Sequence, residues 1–373
     1  MIRYLFILCL VCVSCSTTPD NSLDIQFVTA VPTSETTPTI TPQEIPFIRT
    51  ESCDEADDTP ELPTYAPSTI DWVRINGSQL AINTTPYKIY GVNYYPRMSP
   101  FEHFLLDSET EVIGKELDVI APSGINTLRI FLSLEQLFIC ETQAIPRIET
   151  FMLLDDIIQT IASKNFHIIV VLNQQINNIQ QPPSAQLQFI ASRYANEPAV
   201  LAWDVLDKGD TFYEDHSSES VLTWLSNAIL SLRQVDSQHL ITASWESHAI
   251  DTVDLVDMVS FQHFGDYLPL RQEIANLKAG TDKPISLSAI GYSTFDLDET
   301  AQRNLLYQAF EEARFNDLAG WGIYSAFDYP TSVTCTEPEC PAKPQSLNFY
   351  GIWNTSYFPK LAVDAVKRVT ESQ

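Results

Sequence analysis

The sequence has little positive charge. Its 373 residues include 21 lysines and arginines against 48 aspartates and glutamates, which gives a formal net charge of −27 at pH 7. Because a strongly acidic chain repels other anions, this balance argues against nucleic acid, an anionic membrane surface or a polyanionic substrate as partner. We therefore expect no nucleic-acid binding.

Long hydrophobic runs are also scarce. The apolar stretch from Tyr4 to Val13 follows Arg3 and is too short to span a bilayer as a mature anchor, so it is typical of an export signal. Residues 13–15 resemble the end of a bacterial lipoprotein signal, in which the cysteine, here Cys15, is lipidated. The leucine usual three places earlier is replaced by Cys12, and an ordinary secretory signal is the alternative. Both predict export, and the first predicts a lipid anchor at the bacterial cell surface as the protein's one membrane attachment.

Motifs for metal binding and for serine nucleophiles are missing. Outside the signal, four cysteines remain without zinc-site spacing or an accompanying histidine pair, and there is no Gly-x-Ser-x-Gly turn. We therefore expect no metal and no cofactor. An even set of cysteines in an oxidising compartment predicts disulfides. Cys335 and Cys340 are close enough to close a small loop, and Cys53 and Cys140 are the remaining couple.

The segment 16–66 is predicted to be an extended tether. It is rich in Thr, Pro and Ser, and residues 16–65 hold ten acidic residues and one arginine. Such a composition does not bury a core. The predicted organisation is therefore a signal over 1–15, a tether over 16–66 and a folded domain over 67–373.

Within that domain, short apolar runs alternate with helical patterns. A hairpin with an Asn76-Gly77 turn comes first, and eight strand-then-helix units follow, which predicts parallel strands closed into a (β/α)₈ TIM barrel of the α/β class with an N-terminal β-hairpin. The predicted strands are Lys88–Tyr95, Asn126–Leu132, His167–Leu172, Ala199–Leu206, His239–Trp245, Asp257–Phe261, Pro284–Ile290 and Gly320–Phe327.

The fourth predicted strand and its surroundings resemble those of the retaining β-glycosidases of clan A, especially glycoside hydrolase family five. Residues 193–206 match the sequence motif that precedes an Asn-Glu pair in that family, and the Glu of this pair is the acid/base. Residues 91–96, 124–131 and 283–294 match the family's phrases on strands one, two and seven. The resemblance covers roughly residues 73–369 and implies a barrel that binds carbohydrate at the carboxyl ends of its strands.

Both positions that carry chemistry in the family are substituted. Asp207 and Lys208 stand where the Asn-Glu pair is expected, and Ala289 stands at the nucleophile position. Retaining hydrolysis needs two carboxyl groups about 5–5.5 Å apart. A lysine charge at ~5 Å would oppose the positive transition state by roughly 3 kcal/mol at an effective dielectric of ~20. Asp207 or Asp210 could pair with Lys208 and reduce this repulsion.

Other site positions follow from the same resemblance. Arg129 occupies the place of an arginine that supports the nucleophile, Gln262 replaces a histidine, and Tyr324 replaces a tryptophan that stacks on the sugar. His263 lies one place from the family's histidine position. The predicted sugar-binding set is Asn93, Tyr94, Arg129, Trp203, Asp207, Trp245, Gln262, His263 and Tyr324, with Tyr95 as a further aromatic.

Three hypotheses follow from these substitutions. The first is a non-catalytic carbohydrate-binding relative of the glycosidases, which is a monomer and takes an oligo- or polysaccharide as partner. The second is an active glycoside hydrolase on a β-glycan with relocated carboxylates, such as an inverting pair of Asp207 and Glu246. The third is a structural surface lipoprotein without a ligand.

Overall fold

The structure is a computed structural model, and it describes residues 61–140, 143–334 and 343–371. Within these ranges, no helix is both long and apolar enough to cross a membrane. Cys15, Cys53, Cys335 and Cys340 lie outside the described residues, so the lipidation site and the two disulfide pairings stay predictions. Cys140 is buried.

A small antiparallel sheet closes one end of the molecule. Its strands are β1 (Val73–Asn76), β2 (Gln79–Ile82) and β3 (Thr85–Tyr87), and Gly77 turns between the first two with a positive φ of 65°. Val73, Leu80 and Tyr87 are buried in one cluster with residues from the barrel strands, such as Leu201. The predicted N-terminal hairpin is thus confirmed, and it covers the floor of the barrel.

The main sheet contains nine parallel strands. They run along the chain as β4 (Ile89–Asn93), β5 (Thr127–Phe131), β6 (His167–Val171), β7 (Val200–Asp204), β8 (Leu240–Thr242), β9 (Ser244–Trp245), β10 (Val259–His263), β11 (Ile285–Ile290) and β12 (Gly320–Ile323). Each predicted strand overlaps an observed one. The fifth is divided into β8 and β9 around Ala243.

The strand order closes the sheet into a nearly complete barrel. Hydrogen-bonded neighbours run β8-β7-β6-β5-β4-β12-β11-β10-β9. Since β8 and β9 belong to one stretch of chain, the two ends of this order meet. The predicted (β/α)₈ TIM barrel is therefore confirmed.

Helices surround the barrel. They are α1 (Phe104–Asp107), α2 (Thr110–Ile120), α3 (Leu134–Leu137), α4 (Ile148–Ser163), α5 (Ser184–Tyr194), α6 (Ser218–Arg233), α7 (Tyr267–Gly280), α8 (Glu299–Phe315) and α9 (Ala362–Thr370). Ser217 caps α6 and Asp298 caps α8 by accepting hydrogen bonds from backbone N–H groups in the first turn. A short 3₁₀ turn, Ala249–Thr252, follows β9.

The segment that enters the domain packs against the barrel before the hairpin begins. Glu197 is fully buried and accepts hydrogen bonds from the hydroxyl of Tyr65 at 2.7 Å and from the backbone N–H and hydroxyl of Ser68. The ring of Tyr65 also meets Tyr194 edge-on at 4.9 Å. Tyr65, within the predicted tether, thus packs on the barrel, because it carries both an apolar ring and a hydroxyl that fit this surface.

Candidate sugar-binding site at the barrel mouth

The centre of the barrel mouth is a buried ion-pair network. Arg129, near the end of β5, is 3 % exposed. Its Nε and Nη2 donate to Oδ2 of Asp204 at 3.0 and 2.7 Å, and Nη2 also donates to Oδ1 of Asp207 at 2.6 Å. Burial alone would lower the pKa of Arg129, but Asp207 and Asp204 raise it above its ordinary value. The arginine therefore remains a cation held by two carboxylates.

Asp204 lies beneath the mouth, inside the barrel. It is fully buried, and its Oδ2 accepts a further hydrogen bond from the hydroxyl of Ser244 at 2.6 Å. Ser244 in turn accepts one from Ser288 at 3.1 Å. Burial raises the pKa of Asp204 above its ordinary value, with Arg129 opposing the shift. This carboxylate holds the arginine in place and has no access to a substrate.

Asp207 is the carboxylate closest to solvent in this network. Its side chain is 10 % exposed, and Gln262 Nε2 donates to the same Oδ1 that Arg129 contacts, at 2.5 Å. Its backbone N–H donates to the carbonyl of Asn173, which follows β6, at 2.9 Å. In the described part of the chain neither side-chain bond uses Oδ2, so that oxygen is available to a ligand hydroxyl.

Gln262 lies on β10, between Asp207, which follows β7, and the neighbouring strand β11. It is 2 % exposed and stands in register with Ala289 on the neighbouring strand. Ala289 is fully buried and brings no polar atom to the mouth. Ala289 thus lies beside a glutamine that binds Asp207, and Asp207 is also bound by Arg129.

Lys208 lies on the rim. It is exposed, adopts a left-handed backbone with φ of 51°, and its Nζ lies 5.6 Å from the centre of the Phe264 ring. No ion pair to Lys208 is found among the residues described. The expected pairing with acids is therefore corrected: Asp207 binds Arg129 and Gln262, and Asp210 binds the ring of His248 at 2.6 Å and the backbone N–H of Ser247 at 3.0 Å.

Three aromatic rings line the same rim. Tyr324 follows β12, and its ring meets Phe264 at 5.8 Å and Tyr350 at 5.4 Å, both at steep angles. Burial, together with Tyr350 and Asp207, raises the pKa of Tyr324 above its ordinary value, so its hydroxyl stays protonated. Tyr95 is buried and stacks on Phe131 at 5.0 Å, inside this rim.

Four predicted sugar-binding residues are placed elsewhere. Trp203 is 1 % exposed and donates to Asp236 at 2.7 Å, because it points to the side of β7 opposite Asp204. Tyr94 is fully buried and donates to Glu116 at 2.7 Å. These two are core residues, which corrects the expectation of stacking faces.

Trp245 and His263 also contact protein rather than open space. Trp245 is fully buried under Gly209, where an added Cβ would lie 2.5 Å from the indole ring, and Tyr213 covers it at 5.2 Å between ring centres. The His263 ring lies 2.8 Å from the carbonyl of Asp266, a contact within its own loop. Asn93 does lie at the mouth: it is buried, in register with Arg129, and its Oδ1 has no partner among the described residues.

The other acids near strand ends have separate roles. Glu246 is exposed, and its backbone N–H is bound by Asp210. Asp328 is buried and accepts a hydrogen bond from Lys360 at 2.7 Å, and burial raises its pKa to about 6. In the described ranges, no group of three or more His, Cys, Asp or Glu side chains is arranged to hold a metal ion.

Asp204 and Asn173 belong to the site but were not predicted from the sequence. A signal for Asp204 was present, since it is a charged residue in the apolar run 199–206 and must have a buried partner. Asn173 had no comparable signal, because it acts through its backbone carbonyl. Tyr350 was missed because it comes from the long connection after β12.

Comparisons with solved structures agree with the barrel fold. The scan against protein-family models and the search of curated proteins give no match. Among solved structures, the chain is similar to the protein GH5_18 from Streptomyces cattleya, solved in complex with GlcNAc, at 12% identity over 76% of this chain and 80% of that one, with a TM-score of 0.64. It is also similar to an endo-1,4-β-mannanase from Rhizomucor miehei, at 15% identity over 81% of this chain and 99% of that one, with a TM-score of 0.59.

The chain has a glycoside-hydrolase-like fold. A further similar structure is a GH2 β-galacturonidase from Eisenbergiella tayi bound to galacturonate, at 16% identity over 81% of this chain, with a TM-score of 0.58. This chain spans 54% of that protein. The Arg129 network lies at the carboxyl ends of the strands, which is the end at which (β/α)₈ barrels carry their sites.

Proposed function

We propose that the protein is an exported carbohydrate-binding relative of the glycosidases that has lost retaining hydrolysis. The observation that carries this proposal is the Arg129 network. Where the resemblance implies an arginine that supports a carboxylate nucleophile, Arg129 binds Asp204 and Asp207, and Ala289 offers no nucleophilic atom.

The other buried acids do not replace the missing pair. Seven aspartates and glutamates are buried in the described part of the chain, and five of them are bound outside the mouth network. Their partners are Tyr94 for Glu116, Tyr65 for Glu197, His239 for Asp236, Tyr267 for Glu312 and Lys360 for Asp328. Both positions at which retaining hydrolysis would require a carboxyl group therefore lack one.

Sugar binding is supported by the chemistry that remains at the mouth. The rim of the mouth offers the ring of Tyr324 beside Phe264 and Tyr350. Deeper in the mouth lie the free Oδ2 of Asp207 and the Oδ1 of Asn93, which has no partner among the described residues. Aromatic faces and polar acceptors together suit a sugar, which has apolar C–H faces and many hydroxyl donors. The short predicted signal supports export, and Cys15 supports a lipid anchor at the cell surface.

An active hydrolase is the second candidate, because Asp207 keeps one oxygen free and Glu246 is exposed after β9. An inverting pair would use one carboxylate to activate water and the other as acid. In the first candidate neither residue reacts. The third candidate, a structural lipoprotein, predicts no glycan affinity.

The test is an activated aryl β-glycoside panel on the wild type, the Asp207→Asn variant and the Lys208→Glu/Ala289→Glu double variant. We expect no turnover by wild type and a low rate with a trapped glycosyl-enzyme in the double variant. The Asp364→Asn variant on the surface of α9 serves as control. Wild-type turnover abolished by Asp207→Asn but not by Asp364→Asn would establish the second candidate.

Binding to soluble polysaccharides completes the test. We expect affinity for at least one neutral β-glycan, weakened about tenfold by Tyr324→Ala, which removes the stacking ring. Absence of binding to the whole panel would support the structural lipoprotein.

A further inference from the structure

We infer that the chain has a second glycan-binding site, in a cavity beside the mouth. This inference rests on the proposed glycan-binding function but concerns different residues. The cavity has a volume of about 680 Å³ and lies between the segment after β6, the region of α3 and the start of α5. That volume is within the range of about 300–1,000 Å³ that is typical of small-molecule sites.

The wall of the cavity is rich in amide side chains that lack intramolecular partners. Gln175, Asn177 and Gln181 line it and are exposed, and within the described ranges none of their side chains forms a hydrogen bond to the protein. Each amide offers two donor hydrogens and one acceptor oxygen. This combination matches neighbouring hydroxyls on a sugar ring, which both donate and accept.

Two further amides are fixed in orientation at the base. Gln186 donates through Nε2 to the carbonyl of Cys140 at 2.7 Å, and Asn173 donates through Nδ2 to the carbonyl of Val205 at 2.9 Å. Both are buried, and the bonds use only the nitrogens. Their oxygens remain as rigid acceptors, so part of the site is already arranged before a ligand enters.

The inner end of the cavity is apolar and includes an unpaired donor. Phe138, Leu134 and Pro182 provide the surface against which the C–H face of a sugar packs. Trp224 also lines the cavity; it is 2 % exposed, and its Nε1 has no hydrogen-bond partner among the described residues. A buried donor without a partner is unfavourable, so a ligand hydroxyl that reached Nε1 would relieve a cost that the free protein bears.

Charge defines the class of ligand. The described residues that line the cavity include no lysine or arginine, and Glu135 is their one acidic side chain. An anionic sugar would meet this carboxylate without a compensating cation. We therefore assign the cavity to neutral oligosaccharides, not to uronates.

The cavity adjoins the mouth without being part of it. Asn173 lines the cavity, and its carbonyl accepts the N–H of Asp207 at 2.9 Å, so one residue separates the two sites. Arg129, Gln262 and Tyr324 do not line the cavity. Variants can therefore block one site and leave the other intact.

The experiment is calorimetric titration with cellohexaose, mannohexaose and a galacturonate oligomer of equal length. Ala185→Trp fills the cavity from an exposed position on α5, and Ala275→Trp, exposed on α7, is the matched control. We expect a neutral hexaose to bind wild type and Ala275→Trp with the same affinity. Ala185→Trp should raise the dissociation constant for binding at the cavity at least tenfold. The galacturonate oligomer should bind this site at least tenfold more weakly.

A smaller change tests the amides themselves. Gln181→Ala removes one set of hydrogen bonds and should raise the dissociation constant about threefold to tenfold, while Gln272→Ala on α7 should leave it unchanged. Both positions are exposed, so loss of folding does not confuse the result.

The outcomes separate this inference from the proposed function. Binding that is lost in Tyr324→Ala and unchanged in Ala185→Trp would overturn the cavity site and leave the mouth as the glycan site. Binding lost in Ala185→Trp and unchanged in Tyr324→Ala would establish the cavity and refute the mouth. Preference for the galacturonate oligomer, or no binding of either neutral hexaose, would also overturn the inference.

Discussion

Replacing Arg129 by methionine should destabilise the protein strongly. The substitution keeps an unbranched side chain but leaves Asp204 and Asp207 without their cation. Arg129 and Asp204 are 4 % and 0 % exposed at their side chains, and the two N–O distances are 2.7 and 2.6 Å. At ~4 Å between charge centres and an effective dielectric of ~20, each attraction is roughly 4 kcal/mol.

The net effect is smaller than the sum of these attractions. Repulsion between the two aspartates and the cost of removing three charged groups from water offset part of them. Breaking a buried ion pair by removing one partner costs about 3–5 kcal/mol, and we expect a loss of that size in the free energy of unfolding at pH 7. Urea denaturation followed by tryptophan fluorescence measures it.

The loss should depend on pH. Burial already raises the pKa of Asp204, and without Arg129 that pKa rises further. A carboxyl whose pKa is raised by folding favours the folded state at low pH, and this contribution is lost as the pH rises through its folded pKa. The deficit of Arg129→Met should therefore be smaller at pH 5 than at pH 7.

Two comparisons make the test specific. Arg314→Met breaks an exposed pair with Glu311 and should change stability by less than about 1 kcal/mol. Adding Asp204→Asn to Arg129→Met should recover part of the loss. A deficit below about 1 kcal/mol at pH 7, or one that grows at pH 5, would refute the reasoning.

Further predictions concern charge, anchoring and thiols. Because burial raises the pKa of Asp328 to about 6, its contribution to folding is largest below its unfolded pKa near 4 and is lost as the pH rises through 6. In urea titrations, the stability of wild type relative to Asp328→Asn should therefore fall by about 2 kcal/mol from pH 4 to pH 7, and a rise would contradict this prediction. Cys15→Ala should abolish fatty-acid labelling and release the protein from the membrane fraction; labelling that persists would exclude Cys15. Peptide mapping without reduction should join Cys335 to Cys340, and free thiols at both would refute that pair.

The barrel could be predicted because its strands are short apolar runs that end in turn residues. The run 199–206 contains β7, and the flanks of β11 match a known phrase. Strand ends were less predictable. Asp257 to Phe261 was the expected sixth strand, whereas β10 continues to His263 because pairing with β11 extends it, with a register shift after Phe261. Pairing partners, not local propensity, decide where a strand stops.

The candidate site was predictable in position but not in its contacts. Motif order brought Arg129, Gln262 and Ala289 to the mouth, because parallel strands end at one face. The pairing of Arg129 with Asp204 depends on which side chains point inward, and a short run does not reveal this. Trp203 shows the same difficulty: its neighbour Asp204 takes the inward direction, so the tryptophan faces the helices.

The contact between Tyr65 and Glu197 places the N-terminal segment of the domain at the end of the barrel opposite the mouth. Glu197 lies just before β7 begins, on the same side as the hairpin that covers the floor, and the strands run from there to the mouth. The described segment from Glu61 to Ser68 therefore lies at the closed end of the barrel. Both proposed glycan sites lie at the opposite end of the barrel, so an attachment through the N-terminal segment would not cover either of them.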